Sequence, residues 1–440
     1  MNNKKWMAIL LGGIMAASLA APCSVSAAEK TTLTFWHAMG GTNGEVLQQI
    51  VDDFNASQDE IEIKAEYQGT YDDTITKLKA AMQSDSGLPD VCQMYDVGTK
   101  FMYDSGAVIP VEDKFESTGY DKSSVMEVIS SYYTVDGKQY AMPFNVSTPM
   151  LYYNKDVFEA AGLDPETPPT TYDEVLEDAK KIVESGAAPV GYSQAIYGWF
   201  FEQQLAGLGV TYGNNDNGRK EAVTAVDFDS NGGGLKVFDT WKKLYDSGCF
   251  EDYGTTTADT QTAFFSGQVG MIIESTAILK NAVDSSPFEV GTGYLPRIEQ
   301  NDEGGVIIGG GSLWLTDTGN EANEDAAWKF IEYITTPDVQ AKWSMGTGYF
   351  AINEKAYETE DMKAYLKENP NFETAINQLK DSPVNCNTAG VLSGVQTEAR
   401  LTFNEIMPQV YDGKLTTQDA VDQLAASVNK AIENYNESIK

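Results

Sequence analysis

The sequence predicts a two-lobe α/β protein, and three observations carry that prediction. The chain has 440 residues, more than one ordinary hydrophobic core accommodates, so two lobes are expected. Strand and helix patterns alternate over residues 31–98, as in sheets covered by helices. The segment 143–154 (PFNVSTPMLYYN) contains two prolines six residues apart. Because proline fixes φ and keeps the preceding residue extended, we expect this segment to be a stiff passage between the lobes.

The first 28 residues have the pattern of a secretion signal. Lys4 and Lys5 precede an apolar run over 7–21, and the small residues at 25–27 offer a cleavage site. A lipoprotein signal would keep Cys23 as the lipid-modified residue. Pro22 stands where such signals usually carry a small residue, so simple secretion is favoured and a lipid anchor at Cys23 is the alternative.

The first lobe begins with three predicted strands separated by helices. The strands cover Thr31–His37, Ile61–Tyr67 and Asp90–Tyr95, and helices fill the intervals between them. Ligands of such sheets bind beyond the carboxyl ends of the strands. The candidate ligand-binding residues just after these strands are Trp36, His37, Tyr71 and Asp96.

The remaining chain continues the α/β pattern. Asp136 and Gly137 predict a hairpin turn, and Thr171 and Thr416 predict the starts of two helices. Two further passages between lobes are expected, one at 274–277 after a strand and one at 346–349.

Composition narrows the class of partner. The net charge is −35, which argues against nucleic acid and anionic membrane surfaces as partners. Cleavage of the signal would leave Cys92, Cys249 and Cys386, an odd number that allows at most one unassigned disulfide. No cysteine or histidine cluster indicates a zinc site.

Hydrolytic chemistry has little support in the sequence. The chain has one histidine, His37, and no Gly-x-Ser-x-Gly turn that would place a nucleophilic serine beside it. A structural or cleft-wall role is expected for His37, and we predict that the protein is not an enzyme and uses no cofactor or metal.

Two features suit an anionic ligand. Gly309, Gly310 and Gly311 interrupt a strand-like run without the Lys-Ser/Thr pair of a phosphate loop. The glycines indicate either a bulge or a close approach of backbone or ligand. Among the three arginines, Arg219 and Arg297 are expected at the surface, whereas Arg400 lies in a partly apolar helical segment. Its guanidinium fork would suit a carboxylate or a phosphate.

Several aromatic residues leave open a second hypothesis, that the ligand is a sugar. The residues Tyr71, Tyr197, Trp199 and Tyr349 could stack on a sugar, although each alone is more often part of a core. Taken together, the residues indicate a secreted two-lobe binding protein without naming its ligand.

Six dispersed blocks resemble the extracellular solute-binding proteins (family 1) of ABC importers, most closely the members that bind sn-glycerol 3-phosphate. The blocks are FWHAM (35–39), YDVGT (95–99), PFNVSTPMLYYNKD (143–156), GLDPETPP (162–169), IIGGGSLW (307–314) and TGY (347–349). The resemblance implies a type II periplasmic-binding-protein-like fold. Each lobe would be a mixed, mostly parallel sheet flanked by helices, and three crossing segments would join the lobes.

The resemblance also implies domain limits, partners and a ligand set. Lobe 1 would comprise 29–144 and 276–347, and lobe 2 would comprise 145–275 and 348–440. The protein would be a monomer that delivers its ligand to membrane permease subunits. The implied ligand contacts are Tyr71, Asp96, Ser147, Trp199, Ser275, Gly310, Tyr349 and Arg400.

The implied roles divide between the two ends of a phosphate ester. Arg400, the hydroxyl groups and the Gly310 amide would bind phosphate oxygens, whereas Asp96 would accept from glycerol hydroxyls or face a choline cation. Asp96 stands where related members have Glu, and Ile196 stands where they have a second tryptophan. The smaller Ile196 would leave room for a glycerophosphodiester such as glycerophosphocholine. An oligosaccharide is the alternative ligand.

Overall fold

The computed structural model describes residues 30–84 and 87–439. The predicted signal segment and Cys23 lie outside them. The strands are β1 (Thr31–His37), β2 (Ile61–Tyr67), β3 (Val91–Tyr95), β4 (Val108–Ile109), β5 (Thr134–Val135), β6 (Lys138–Gln139), β7 (Met142–Ser147), β8 (Pro149–Asn154), β9 (Val190–Ser193), β10 (Val269–Ser275), β11 (Val290–Gly293) and β12 (Gly309–Thr316).

Helices occupy most of the intervals between the strands. They are α1 (Gly41–Ser57), α2 (Tyr71–Met82), α3 (Thr99–Ser105), α4 (Glu112–Thr118), α5 (Glu127–Ser130), α6 (Lys155–Ala160), α7 (Tyr172–Ser185), α8 (Gly198–Gly207), α9 (Asn214–Gly218), α10 (Gly233–Tyr245), α11 (Thr257–Phe265), α12 (Leu279–Ser285), α13 (Glu321–Ile334), α14 (Pro337–Thr347), α15 (Glu360–Glu368), α16 (Asn371–Asp381), α17 (Gln396–Tyr411) and α18 (Thr417–Ser438). No helix within the described residues is long and apolar enough to cross a membrane.

Local sequence signals account for several helix starts. Thr70 and Thr171 each form a capping box with the acidic residue three positions later, at α2 and α7. Thr416 caps α18 through the Asp419 amide, as predicted. Such caps satisfy backbone N–H groups that the first helical turn leaves without partners.

The strands form two large sheets and one hairpin. The first sheet has the order β2-β1-β3-β12-β4, with β7 also paired to β12, and the second has the order β11-β8-β10-β9. The hairpin of β5 and β6 turns at the predicted Asp136 and Gly137. Helices such as α1, α13, α7 and α10 bury apolar faces in the hydrophobic cores of the two sheets. The prediction of a two-sheet α/β fold is therefore confirmed.

The sheets are mixed, as predicted. Most of their strand pairings are antiparallel, however, whereas a mostly parallel arrangement was predicted. Among the described strands, β1 pairs in parallel with β2 and β3, and β9 pairs in parallel with β10. The pairings of β12 with β3, β4 and β7, and of β8 with β10 and β11, are antiparallel. The reason is that β8 and β12 enter their sheets from a passage between the sheets, so they run against strands that end there.

The proline-framed segment passes directly from one sheet to the other. β7 lies in the first sheet, β8 lies in the second, and only Thr148 separates them. The Thr148 N–H donates to Thr276 Oγ1 (3.2 Å), and the Thr276 N–H donates to the Thr148 carbonyl (2.8 Å). The Phe350 N–H donates to the Val146 carbonyl (2.9 Å). The three predicted passages therefore meet around Thr148.

The second passage differs from its predicted course. β10 ends at Ser275, but the chain returns to the second sheet as β11 and enters the first sheet only at Gly309. The stretch 276–347, assigned from sequence to lobe 1, thus contains one strand of the second sheet. β11 is short and has glycines at 291 and 293, where the ring of Tyr153 and the side chain of Pro168 pack closely. Its pattern therefore gave little strand signal.

Candidate functional site

The site lies where the two sheets and the passages between them meet. The predicted ligand residues occupy the following positions: Tyr71 begins α2, Asp96 follows β3, Ser147 ends β7, Trp199 is the second residue of α8, Ser275 ends β10, Gly310 lies in β12, Tyr349 follows α14, and Arg400 lies in α17. These positions converge on one cleft.

A buried ion cluster forms the centre of the cleft. Arg400 Nη2 donates to Asp96 Oδ2 at 2.8 Å and to Glu202 Oε2 at 2.7 Å, while Arg400 Nε donates to Glu202 Oε1 at 2.8 Å. The three residues are between 4% and 8% exposed. Asp96 follows a strand of the first sheet, whereas Glu202 and Arg400 belong to helices that pack on the second core. The cluster therefore closes the cleft.

The opposite charges within this cluster stabilise the ionised form of Arg400. Burial lowers the pKa of Arg400, but the carboxylates of Asp96 and Glu202 raise it well above its ordinary value. The pKa of Glu202 is raised by burial, against the attraction of Arg400. Arg400 is therefore cationic at neutral pH, and no described residue accepts a hydrogen bond from its Nη1. Those two N–H groups remain for a ligand.

The start of α8 packs against two parts of the site: Trp199 lies against the glycine run, and Gly198 lies against the helix that carries Arg400. An added Cβ on Gly309 would come within 2.6 Å of the Trp199 ring, and one on Gly198 would come within 2.6 Å of Arg400 Cα. Trp199 is 5% exposed, and its indole N–H is buried without a hydrogen-bond partner among the described residues. An unpaired buried donor is costly, so this N–H is a second candidate for ligand binding.

The glycine run satisfies both parts of its prediction. The β12–β7 register shifts between Gly311 and Ser312, which marks a bulge. Gly310 has φ +93°, and an added Cβ there would lie 1.8 Å from the Asn145 carbonyl oxygen. Only glycine permits this approach of the two strands.

Asn145 connects the glycine run to the tyrosines. Its Nδ2 donates to the Tyr71 hydroxyl (2.6 Å), and its Oδ1 accepts from Gln93 Nε2 (2.7 Å). The Tyr71 ring stacks on Tyr95 at 5.1 Å between centroids. Burial raises the pKa of Tyr71 and, to a lesser degree, of Tyr349. Both phenols are therefore protonated at neutral pH and can donate hydrogen bonds.

The two predicted serines flank the passage at Thr148. Ser147 pairs with Gly309 across the β7–β12 ladder and is 4% exposed. Ser275 Oγ accepts from the Ala277 N–H (3.2 Å), and the Ser275 carbonyl accepts from the Tyr152 hydroxyl (2.7 Å). A ligand that contacts either serine would therefore contact the passage between the two sheets at Thr148.

Two site residues were not expected from the sequence. Asn145 lies inside the proline-framed segment, and Glu202 lies in α8, whose residues from Gly198 to Ala206 are all buried. A carboxylate in a helix that is otherwise buried signals a partner cation. That signal was present, but its partner is 198 residues away.

Several other side chains clarify the earlier expectations. His37 is buried beside Phe35 and Tyr67, and burial lowers its pKa to about 4, so the ring is neutral at pH 7. Ile196, expected to leave room beside the ligand, is fully buried in the second core. The cysteines Cys92, Cys249 and Cys386 are free.

Arg219 was predicted at the surface, but its side chain is partly buried and makes hydrogen bonds to distant parts of the chain. Its guanidinium donates to the carbonyl of Tyr132 (2.8 Å) on one side of the cleft and to those of Ala389 and Gly390 on the other. It also lies over the Tyr132 ring, at 5.3 Å from the centroid. Burial without a carboxylate lowers the pKa of Arg219 to about 10. These carbonyls accept the hydrogen bonds that the guanidinium would otherwise donate to water.

We expect Arg219→Met to favour an open cleft. The change removes hydrogen bonds between the two sides and leaves carbonyls without donors, at a cost of about 1–3 kcal/mol. Small-angle X-ray scattering should show a larger radius of gyration than the wild type. Arg297→Met is the matched control because Arg297 is exposed, and equal scattering of Arg219→Met and wild type would contradict the expectation.

Comparison with known proteins then identifies the family. The profile of the family described as "Bacterial extracellular solute-binding protein" matches residues 49–374. The chain belongs to this family. Solute-binding proteins of this kind capture small molecules for ABC importers and deliver them to membrane permeases; they are not enzymes.

Curated relatives of this solute-binding protein match along almost its whole length. The sn-glycerol-3-phosphate-binding periplasmic protein UgpB of Escherichia coli (strain K12) is 30% identical over 417 residues, covering 93% of this chain and 94% of that protein. UgpB of Brucella abortus (strain 2308) is 32% identical over 430 residues, covering 96% and 98% respectively.

Solved structures share the fold. UgpB from Mycobacterium tuberculosis in complex with glycerophosphocholine has a TM-score of 0.79 at 20% identity, covering 93% of this chain and 100% of that one. The cyclic alpha-maltosyl-1,6-maltose binding protein from Arthrobacter globiformis has a TM-score of 0.77 at 26% identity, covering 92% and 100% respectively. The two-lobe solute-binding fold is therefore confirmed.

Proposed function

We propose that this solute-binding protein captures a phosphate ester of glycerol, either sn-glycerol 3-phosphate or a glycerophosphodiester, and delivers it to an ABC permease. The observation that carries the proposal is the cleft arginine. Arg400 is the one arginine in the described chain that is paired with carboxylates across the cleft, and its Nη1 group is free. Guanidinium N–H groups suit phosphate oxygens.

The surrounding groups complete a mixed polar and aromatic pocket. The free indole N–H of Trp199, the hydroxyls of Ser147, Ser275 and Tyr349, and the backbone at Gly310 supply further donors. Tyr71 would wall the carbon skeleton. In a closed cleft these charge-assisted hydrogen bonds are stronger than in water. The two UgpB relatives, both named for sn-glycerol 3-phosphate, support this ligand class.

The sequence-based site and lobes fit the same proposal. The eight residues predicted to bind the ligand would do so when the two sheets close around Thr148, with β11 moving with the second sheet. The signal segment would direct the chain out of the cytoplasm, and the protein would act as a monomer.

One observation favours a second candidate, an uncharged oligosaccharide. Two carboxylates surround a single guanidinium, so the cluster carries a net negative charge, which disfavours an anion. Tyr71 and Trp199 could stack on sugar rings. The Arthrobacter globiformis neighbour, named for a maltose-type ligand, shows that the fold accommodates sugars.

A thermal-shift panel separates the two candidates. The panel contains sn-glycerol 3-phosphate, glycerophosphocholine, glycerophosphoglycerol, maltotriose and xylotriose. We expect stabilisation by phosphate esters, because a ligand at 100 times its Kd stabilises the native state by about 2.7 kcal/mol. Stabilisation by the sugars alone would favour the second candidate, and no shift with any phosphate ester would overturn the proposal.

A further inference from the structure

Glu202 forms a two-oxygen ion pair with Arg400. It was not among the residues predicted to bind the ligand. Both of its carboxylate oxygens accept from Arg400, and Oε1 also accepts from Gln396 Nε2 at 2.8 Å. The residue is 5% exposed. Removing such a partner from a buried pair is costly because it leaves the other charge uncompensated. Arg400 is thus paired with a second carboxylate in addition to Asp96. An anionic ligand would bind more readily to an arginine whose charge is not already neutralised.

The count of charges in the cluster sets what the cleft can accept. Arg400 contributes one positive charge, and Asp96 and Glu202 contribute one negative charge each, so the ionised cluster has a net charge of −1. A phosphate monoester carries about −1.5 to −2 at pH 7. A phosphate diester carries one negative charge per phosphate, and a cationic head group makes the whole ligand neutral. The monoester therefore adds the most negative charge to a dry, already negative site.

The geometry of the arginine agrees with this ranking. Nε and Nη2 are occupied by Glu202 and Asp96, so the two-nitrogen fork is not available to the ligand. Only the N–H groups of Nη1 remain, and they can serve one or two phosphate oxygens. A monoester, whose three terminal oxygens share a double charge, would require more donors than a diester with two.

We propose that Glu202 is a specificity-determining residue that makes the cleft prefer a glycerophosphodiester to a phosphate monoester. This inference rests on the proposed function and deepens it by naming the ligand class. Glu202 acts through the charge of the cluster and through the Arg400 donors that it occupies.

The wild-type protein provides the first test by isothermal titration calorimetry at pH 7.5. Glycerophosphocholine is the zwitterionic diester, glycerophosphoglycerol is the diester with an uncharged head group, and sn-glycerol 3-phosphate is the monoester. We expect both diesters to bind at least about tenfold more tightly than the monoester. Equal or tighter binding of the monoester would overturn the inference, whether or not any variant folds.

The second test removes the charge at Glu202. Glu202→Gln should raise the affinity for sn-glycerol 3-phosphate about tenfold, whereas the affinity for the diesters should change by no more than about threefold. Glu398→Gln is the matched control because Glu398 lies exposed on the same helix as Arg400. It should leave all three affinities at their wild-type values.

The outcomes distinguish the inference from the proposed function. A uniform loss of affinity for all three ligands in Glu202→Gln, with an unchanged ratio, would assign Glu202 a structural role and overturn the inference alone. If the wild type binds no phosphate ester, the proposed function fails and this inference fails with it.

Discussion

Replacing Arg400 by alanine is expected to abolish binding of phosphate esters. The change removes the free Nη1 donors and leaves Asp96 and Glu202 buried without their cation. Leaving a buried phosphate without its cationic partner costs about 3–5 kcal/mol, which corresponds to a loss of affinity on the order of hundreds-fold or more. Titration calorimetry with glycerophosphocholine and sn-glycerol 3-phosphate measures the effect.

Two control variants show whether the loss of binding is specific to the guanidinium of Arg400. One keeps the positive charge at position 400, and the other removes a different arginine. Arg400→Lys keeps the positive charge but loses the planar fork, so we expect an intermediate loss of about tenfold or more. Arg297→Ala removes an exposed arginine and should leave binding unchanged. Wild-type affinity in folded Arg400→Ala, verified by circular dichroism, would contradict the proposed function.

Replacing Gly310 by alanine is expected to destabilise the fold more than other glycine substitutions. The added Cβ would lie 1.8 Å from the Asn145 carbonyl oxygen, and the residue has φ +93°. Both the steric overlap and the backbone strain must be relieved by moving β7 away from β12. We expect a loss of about 3 kcal/mol or more in the free energy of unfolding, measured by urea denaturation.

Gly319 offers a control that isolates the backbone term. It also has a positive φ, +69°, but an added Cβ there meets nothing within 4 Å. Gly319→Ala should therefore cost only about 1–2 kcal/mol, the penalty for a left-handed conformation. Equal losses in the two variants would show that the approach of Asn145 is relieved at little cost. A larger loss at Gly310 would confirm that this contact sets the position of β7, which carries Ser147.

The gap between sequence and structure is clearest at the arginines. Arg400 stood out because apolar neighbours in a helical pattern indicate shelter, and the structure buries it. The same reasoning placed Arg219 at the surface because its loop is polar. That loop instead packs against carbonyls of Tyr132, 87 positions away, and Gly390, 171 positions away. Backbone carbonyls carry no sequence signature, so no local pattern could predict this contact.

The short element α9, which precedes Arg219, is a left-handed turn and illustrates the same limit. Asn215, Asp216 and Asn217 all have φ between +55° and +57°, a conformation that asparagine and aspartate tolerate better than most residues. The Asn/Gly composition predicted a loop. The hydrogen bonds that hold this loop, such as Asn217 Nδ2 to the Cys386 carbonyl (2.9 Å), join distant parts of the chain.

By itself the sequence determined the local features of this protein. Alternation and capping residues placed β1, β2, α7 and α18, and two prolines placed the extended passage at Thr148. Three glycines marked the part of β12 where either a bulge or a close approach was expected. These features depend on neighbours in the chain, where φ preferences and hydrophobic periodicity act. The six blocks of resemblance indicated the family independently of these local effects.

Only the tertiary structure decided how the charges of the cleft are shared. Arg400 meets Asp96 across 304 positions and Glu202 across 198, and none of these pairings follows from spacing. It also decided that β11 joins the second sheet and that Arg219 bridges the cleft. Electrostatic and steric contacts between distant segments depend on how whole sheets are placed. For this reason the cleft could be located from the sequence, whereas its net charge could not.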